Sequence, residues 1–331
     1  MKAAVIGAGG WGTALAIVLQ HNHNQVTLWG RDPLLVNVMN ERRLNADYLP
    51  GVAIPDSIQI TSELAEAFEG VEIIVLAVPS HAMRDTCTKL YSALSTQHSA
   101  LLVNVAKGIE ADTGKRMSEV IRDVIPDVAV ATLSGPSLAD EVAHGIPSAV
   151  VVSSTSAEAA TLAQKAFINE RFRVYTSPDL IGVELGGALK NIIALAAGLC
   201  DGLGLGDNSK AALITRGLAE TARLGVALGA QRDTFSGLSG LGDLVVTCTS
   251  RHSRNRGVGE RLGKGEKIED ILASMEMVAE GVRNAKSVHD LARKHGAQTP
   301  IVDEVHAILY QAKSPKQAVK DLMTRDAREE K

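Results

Sequence analysis

Ala3-Ala4-Val5-Ile6-Gly7-Ala8-Gly9-Gly10-Trp11-Gly12-Thr13-Ala14-Leu15-Ala16-Ile17-Val18-Leu19 opens with a short apolar run, turns through glycines and continues into good helix formers. Strand, glycine loop and helix stand in the order a dinucleotide-binding unit requires. Gly7 permits the tight turn, Gly9 lets the backbone approach a pyrophosphate, and Gly12 lets the helix lie close on the sheet. Free amides at the helix start then face the anion. A lone glycine motif is a weak sign, and an ordinary turn would share it. The strand before it and the helix after it favour the nucleotide site.

Residues 25–29 form the next strand, which ends at Gly30-Arg31-Asp32, where such folds read the adenosine ribose. A carboxylate there bonds the 2′-hydroxyl, whereas a guanidinium welcomes a 2′-phosphate. Both signs are present, so the reading favours NADP and keeps NAD open. Residues 71–79 and 101–106 are nearly continuous apolar runs, as expected of strands covered on both faces of a parallel sheet. They deliver Pro79-Ser80-His81 and Lys107-Gly108 to the carboxyl edge, where ligands of open sheets bind. His81 reads as a solvated loop residue; Lys107 either reaches an anionic substrate or the nicotinamide region or is a surface charge, the two readings weighing equally. Residues 128–133 lead into Ser134-Gly135-Pro136-Ser137-Leu138-Ala139, a loop whose amides and hydroxyl suit a small polar ligand or a plain turn. Strands at 148–153 and 172–176 enclose a helix at about 156–169.

Beyond Ser177 the strand pattern stops. Ser177-Pro178-Asp179 supplies a cap, a first-turn proline and a carboxylate for a long helix. The fold class is therefore α/β: a Rossmann-type doubly wound sheet over residues 1–177, then an all-helical substrate and catalytic domain over 178–331. The first long helix contains Glu184-Leu185-Gly186-Gly187-Ala188-Leu189-Lys190-Asn191 and continues through Ala197. A lysine among Leu, Ile and Ala loses hydration of its charged form, so its pKa falls toward neutrality and it can exchange protons. A lysine snorkelling from a helix face is the competing account. Residues 211–228 form a second helix. Ser236 to Asp243 is a glycine-rich entry to Leu244-Val245-Val246-Thr247-Cys248-Thr249, which is read as buried helix because no partner strand is near. Asp243 orients the lysine, bonds a substrate hydroxyl or caps the helix. Ser253-Arg254-Asn255-Arg256 suits a phosphate monoester, with a basic surface turn as the alternative. Met277 to Gly281 marks a break before a helix at 284–295. Ser314-Pro315-Lys316-Gln317 is a capping box, and the charged tail 325–331 is expected to fray.

Over 331 residues the net charge is -4, which speaks against a nucleic-acid surface. Cys87, Cys200 and Cys248 are odd in number and match no metal-ligand spacing, so no metal site is expected and three buried thiols are. The strand begins too early for a signal peptide, and no apolar run reads as long enough to span a bilayer. The expectation is a cytoplasmic protein with no membrane or nucleic-acid partner.

Taken together, Gly7 to Ala16, Ser134-Gly135-Pro136-Ser137, Gly186 to Asn191, Gly240-Leu241-Gly242-Asp243-Leu244 and Ser253 to Arg256 resemble the bacterial NAD(P)-dependent glycerol-3-phosphate dehydrogenases over nearly the whole chain. The resemblance implies interconversion of sn-glycerol 3-phosphate and dihydroxyacetone phosphate, supplying glycerol 3-phosphate for phospholipid synthesis, by a homodimer using NADP or NAD. It places Gly10, Trp11, Arg31, Lys107, Ala139, Arg254, Val278 and Glu280 on the dinucleotide. Lys107, Gly135, Ser137, Lys190, Asp243, Ser253, Arg254 and Asn255 fall on the small phosphorylated substrate, with Lys190 as proton acceptor. Two other functions fit the same architecture. One is a dehydrogenase of another hydroxy acid or sugar acid; the other is a dinucleotide-binding regulator without catalysis.

Overall fold

A computed structural model describes residues 1–331 except 69, 94–99, 276–277, 328 and 330–331. The strands are β1 (Lys2–Ile6), β2 (Gln25–Trp29), β3 (Leu44–Asn45), β4 (Leu49–Ala53), β5 (Gln59–Thr61), β6 (Ile73–Leu76), β7 (Leu101–Asn104), β8 (Val130–Ser134), β9 (Ser148–Ser154) and β10 (Phe172–Ser177). Helices α1 (Gly10–His21), α2 (Pro33–Arg42), α3 (Met83–Ala93), α4 (Met117–Val124), α5 (Ala139–Ala143) and α6 (Ala157–Phe167) lie among them. Eight strands form one sheet in the order β10-β9-β8-β7-β6-β1-β2-β5. From β5 to β8 every pairing is parallel, and the order reverses direction at β1, which is the doubly wound arrangement. β9 runs antiparallel to β8, and β10 runs parallel to β9.

Period-two alternation explains why the inner strands are apolar throughout. Ala3, Val5, Ile73, Val75, Leu101 and Val103 face one core with α1 and α6. Ala4, Ile6, Ile74, Leu76 and Leu102 face the other with Met83, Cys87, Met117 and Ile121 of α3 and α4. All three cysteines are buried, and burial pushes the Cys87 and Cys248 thiols up to about 12.

After Ser177 the described elements are helical: α7 (Leu180–Gly202), α8 (Gly206–Ala227), α9 (Asp243–Thr249), α10 (Arg254–Gly263), α11 (Ile268–Ala273), α12 (Glu280–Lys294), α13 (Pro300–Tyr310) and α14 (Pro315–Met323). α7 is the axis of this part, buried from Gly182 to Cys200 and surrounded by α8, α9, α10, α12 and α13. Its small residues permit the closest crossing: a Cβ on Gly198 would stand 2.0 Å from Arg256 O, and one on Gly259 would stand 2.0 Å from Leu195 O. Leu and Ile side chains buried along α7 contribute about 1.5–3 kcal/mol each, which offsets the cost of burying Glu184 and Lys190 on the same helix.

Several sequence expectations need correction. The cap of α7 is Asp179, whose Oδ1 accepts from Gly182 N at 2.9 Å. Ser177 is still the last residue of β10, and its hydroxyl accepts from Asp179 N instead. α8 begins at Gly206, five residues before the expected start, because its first turn of Gly206, Asp207, Asn208 and Ser209 has loop-like composition. α12 begins at Glu280; of the break before it, Met277 lies outside the described residues. Only half of the expected capping box forms: Ser314 Oγ accepts from Gln317 N, but the Gln317 amide turns to Asp321. Residues 328 and 330–331 of the tail lie outside the described residues. α7 is, by length and composition, an apolar helix long enough to cross a bilayer, contrary to expectation; 94% of that run is buried by the rest of the protein, as in a core helix.

Candidate active site

Loops leaving the carboxyl ends of β6 and β7 meet α7, α9 and α12 along the edge of the sheet from which the β1 glycine loop and the β8 loop also leave. In the first of them Gly7 has φ +117°, and a Cβ there would lie 2.5 Å from Ala77 O. A Cβ on Gly12 would lie 1.9 Å from Gly7 O, so helix and turn are in backbone contact as the motif requires. At Gly9 a Cβ would meet no protein atom within 4 Å. The protein itself thus has no use for a bare backbone at Gly9, whereas a pyrophosphate does. Gly9 is also the N-cap of α1 and offers no side chain to its first amides, and the buried Trp11 Nε1 has no protein partner. These donors fit a dinucleotide.

Asn45, which the sequence did not mark, fixes the loop from the β3–β4 hairpin by donating to Ala8 O at 2.9 Å and Thr13 Oγ1 at 2.8 Å. The same hairpin sets Tyr48 O where a Cβ on Gly10 would come within 2.4 Å, and Ala139 packs beside it. At the end of β2, Asp32 caps α2 by accepting from Leu34 N at 2.9 Å, which leaves the exposed Arg31 as the uncommitted member of the pair. His81 is exposed, as expected, but its pKa is lowered by partial burial and by Arg283 and Arg31, with Glu280 opposing.

The centre of the site is Lys190, 8% exposed. Its Nζ donates to Asp243 Oδ1 and, at 2.8 Å, to Thr247 Oγ1. Thr247 in turn donates to Asp243 O one turn back on α9, so its hydroxyl is held in place for the lysine. Lys107 Nζ bonds the other Asp243 oxygen at 2.8 Å and Gly135 O at 3.0 Å. One carboxylate therefore bridges two ammonium groups from different parts of the chain. Burial pushes the Lys190 pKa down to about 7, with Lys107 adding to the fall and Asp243 opposing it. Thr247 was missed in the sequence because only the start of α9 fixes which of its residues face α7.

The phosphate segment is placed at the opening of α10. Ser253 Oγ caps that helix by accepting from Arg256 N, which leaves its own O–H to donate. Arg254 is accessible yet flanked closely enough that burial works against its charge; its Nη1 donates to Val278 O at 2.8 Å. Asn255 is buried, and much of its amide is used internally: Nδ2 donates to Asn191 Oδ1 at 2.9 Å and Oδ1 accepts from Gly281 N at 2.9 Å. Glu280 accepts from Ser80 N at 2.9 Å and Ser80 Oγ at 2.5 Å, a bond between the helical part and the loop after β6. Ser137 Oγ donates to Gly135 O, and Gly135 has φ +134°. Lys107, Gly135, Lys190 and Asp243 are thus directly connected, as are Arg254 and Val278; Ser253 and Asn255 flank Arg254 on α10, while Arg31 stands apart at the end of β2.

A nucleotide-binding sheet whose carboxyl edge faces a desolvated lysine defines a dinucleotide-dependent oxidoreductase. The N-terminal model of the NAD-dependent glycerol-3-phosphate dehydrogenases matches residues 2–160, and the C-terminal model matches residues 179–320. Glycerol-3-phosphate dehydrogenase [NAD(P)+] of Listeria monocytogenes serotype 4b is 50% identical over all of this chain and 98% of its own length. That of Geobacillus kaustophilus is 52% identical over 99% of this chain and 95% of its own. The crystal structure of glycerol-3-phosphate dehydrogenase from Coxiella burnetii superposes with a TM-score of 0.94 at 39% identity, covering 98% of this chain and 99% of that one. The chain belongs to the NAD-dependent glycerol-3-phosphate dehydrogenase family.

Proposed function

We infer that the chain interconverts sn-glycerol 3-phosphate and dihydroxyacetone phosphate with NAD(P), and that Lys190 handles the proton. The observation that carries the assignment is the Lys190 amine, buried on α7 and held by Asp243 and Thr247 beside the edge that carries the glycine loop. The bound nicotinamide supplies the acceptor or donor of hydride. Neutral Lys190 takes the proton of the substrate C2 hydroxyl in oxidation; its ammonium polarises the C2 carbonyl and returns the proton in reduction. A pKa near 7 lets both forms exist at neutral pH. Asp243 keeps the amine aimed and stabilises its charged form.

Arg254, with Ser253 and Asn255 at the α10 start, anchors the substrate phosphate, and Gly135, Ser137 and Lys107 close the opposite side. Gly7, Gly9, Gly10, Trp11 and Gly12 receive the pyrophosphate side of the dinucleotide, and Arg31, Ala139, Val278 and Glu280 line the rest of its course. The domain division at Ser177 separates these two tasks, and a second copy of the chain is the expected partner, which light scattering tests. The deciding assay is dihydroxyacetone phosphate reduction with NADH and NADPH side by side. Lys190→Ala should abolish turnover while leaving dinucleotide binding largely intact; turnover at the wild-type rate refutes the role. Arg254→Ala should raise KM far more than it lowers kcat, and an unchanged KM counts against the phosphate assignment.

A further inference from the structure

Lys107 sits in a loop that no strand pairing holds at its carbonyl, yet its ammonium is one of two that share Asp243. Ile109 bridges Arg116 at the far end of the loop, but what fastens the Lys107 carbonyl comes from the helical domain. Asn284 on α12, 1% exposed, donates from Nδ2 to Lys107 O at 3.2 Å and to Ala188 O at 3.4 Å, while its Oδ1 accepts from Ile109 N at 3.3 Å. A single side-chain amide thus grips the Lys107-Gly108-Ile109 backbone at both ends and ties it to α7 at Ala188, two residues before Lys190 on that helix. Asn191, on α7, donates to the same carbonyl at 3.3 Å. Gly108 leaves no slack: a Cβ there would meet Ser80 Cβ and Oγ at 2.4 Å and Asn284 Oδ1 at 3.2 Å.

We propose that Asn284 is a positioning residue for the reaction: by holding the Lys107 carbonyl against α7 it sets where the Lys107 ammonium stands on Asp243. This rests on the reading of Lys190 as acid/base. A lysine side chain has four rotatable bonds, so a fixed backbone is needed if its charge is to stay on one carboxylate oxygen. Lys107 in that place competes for Asp243 and repels charge on Lys190. Displacing it should leave Lys190 holding its proton more tightly. A residue that merely stabilised the fold would lower activity equally at every pH.

The test uses full-length Asn284→Ala and Asn284→Asp, with Lys107→Met as the reference and the double variant Lys107→Met/Asn284→Ala. Each is assayed for glycerol 3-phosphate oxidation from about pH 6 to 9.5, and dinucleotide binding is measured by fluorescence titration. Asn284→Asp keeps the volume but turns an acceptor toward the Lys107 and Ala188 carbonyls, and serves if the alanine variant folds poorly. Expected for the Asn284 variants are a loss of dinucleotide affinity no greater than that of Lys107→Met, kcat lower by about ten- to hundredfold, and an acid limb of the rate profile moved upward by about half a pH unit or more. The double variant should be no worse than Lys107→Met alone, because both changes act through one ammonium. Fully additive losses, or an acid limb that stays in place while kcat falls, overturn the proposal. If wild type shows no acid limb at all, the Lys190 reading fails separately, and Asn284 is judged on the non-additivity of kcat.

Discussion

Lys107 reaches from the nucleotide-binding sheet to place its Nζ 2.8 Å from Asp243 Oδ2, while the other oxygen of that carboxylate holds Lys190. Burial lowers the Lys190 pKa, and the charge of Asp243 limits how far it falls. Lys190 is lowered to about 7 from its usual value near 10.5, so the neutral base grows as pH rises through 7 and the ammonium is lost over the same range. Oxidation of glycerol 3-phosphate should gain rate up to and beyond pH 7, and reduction of dihydroxyacetone phosphate should decline there. In Asp243→Asn the stabilising charge is gone, so the oxidation limb should move to lower pH and reduction at pH 7 should fall by about tenfold or more. A rate profile identical to wild type would remove Asp243 from the mechanism.

The glycine loop separates a folding requirement from a binding requirement, and two alanine substitutions distinguish them. A Cβ on Gly12 lands 1.9 Å from the Gly7 carbonyl oxygen, so Gly12→Ala should destabilise the protein by about 1–3 kcal/mol. Gly9 has φ -77° and open space at its Cβ, so Gly9→Ala should unfold within about 0.5 kcal/mol of wild type. Its dinucleotide affinity should nevertheless drop by about tenfold or more. Denaturant melts and cofactor titrations decide it; loss of stability without loss of affinity in Gly9→Ala would contradict the pyrophosphate assignment.

Much of this site was legible in the sequence because local composition dictated it. The small, apolar surroundings of Lys190 announced a buried helix, and the strand-glycine-helix order announced the nucleotide edge. What stayed hidden depends on long-range packing. Thr247 is one apolar-looking position in a β-branched run until α9 packs on α7 and turns it toward Lys190. The β3–β4 hairpin pairs a two-residue strand with one containing Pro50 and Gly51, too short and too interrupted for periodicity to reveal, yet it supplies Asn45 to the loop. Asn284 likewise carries no local signal, since its three bonds reach residues 96 to 177 positions away.

Arg31 and Asp32 make different predictions although they are adjacent. The Asp32 carboxylate is engaged by Leu34 N, so Asp32→Ala should cost about 1 kcal/mol of stability and leave the ratio of NADPH to NADH use nearly unchanged. Arg31 is exposed at the end of β2, where a guanidinium would meet a 2′-phosphate. Arg31→Ala should raise KM for NADPH by about tenfold and for NADH by much less. Equal effects on both cofactors would show that Arg31 does not read the ribose.

Glu220 offers a stability test away from the reaction. Its carboxylate is 4% exposed and caps α13, accepting from Ile301 N at 3.0 Å and from Val302 N at 3.4 Å. Burial nevertheless pushes its pKa up from the usual 4.5 to about 7, the two amides and Arg223 offsetting only part of the cost. A carboxyl whose folded pKa is raised favours the folded state most when protonated, so its contribution is complete below about pH 4.5 and is lost as pH climbs to about 7. Fully expressed, the change is about 3 kcal/mol. Glu220→Gln keeps an acceptor for Ile301 N but cannot ionise, so the difference in unfolding free energy between pH 5 and pH 7.5 should be more favourable to high pH in the variant than in wild type. Lys190, whose pKa is lowered, contributes with the opposite sign in part of that range and is common to both proteins, so it cancels in the comparison. Parallel stability curves would mean that the helix-start amides compensate the buried charge completely.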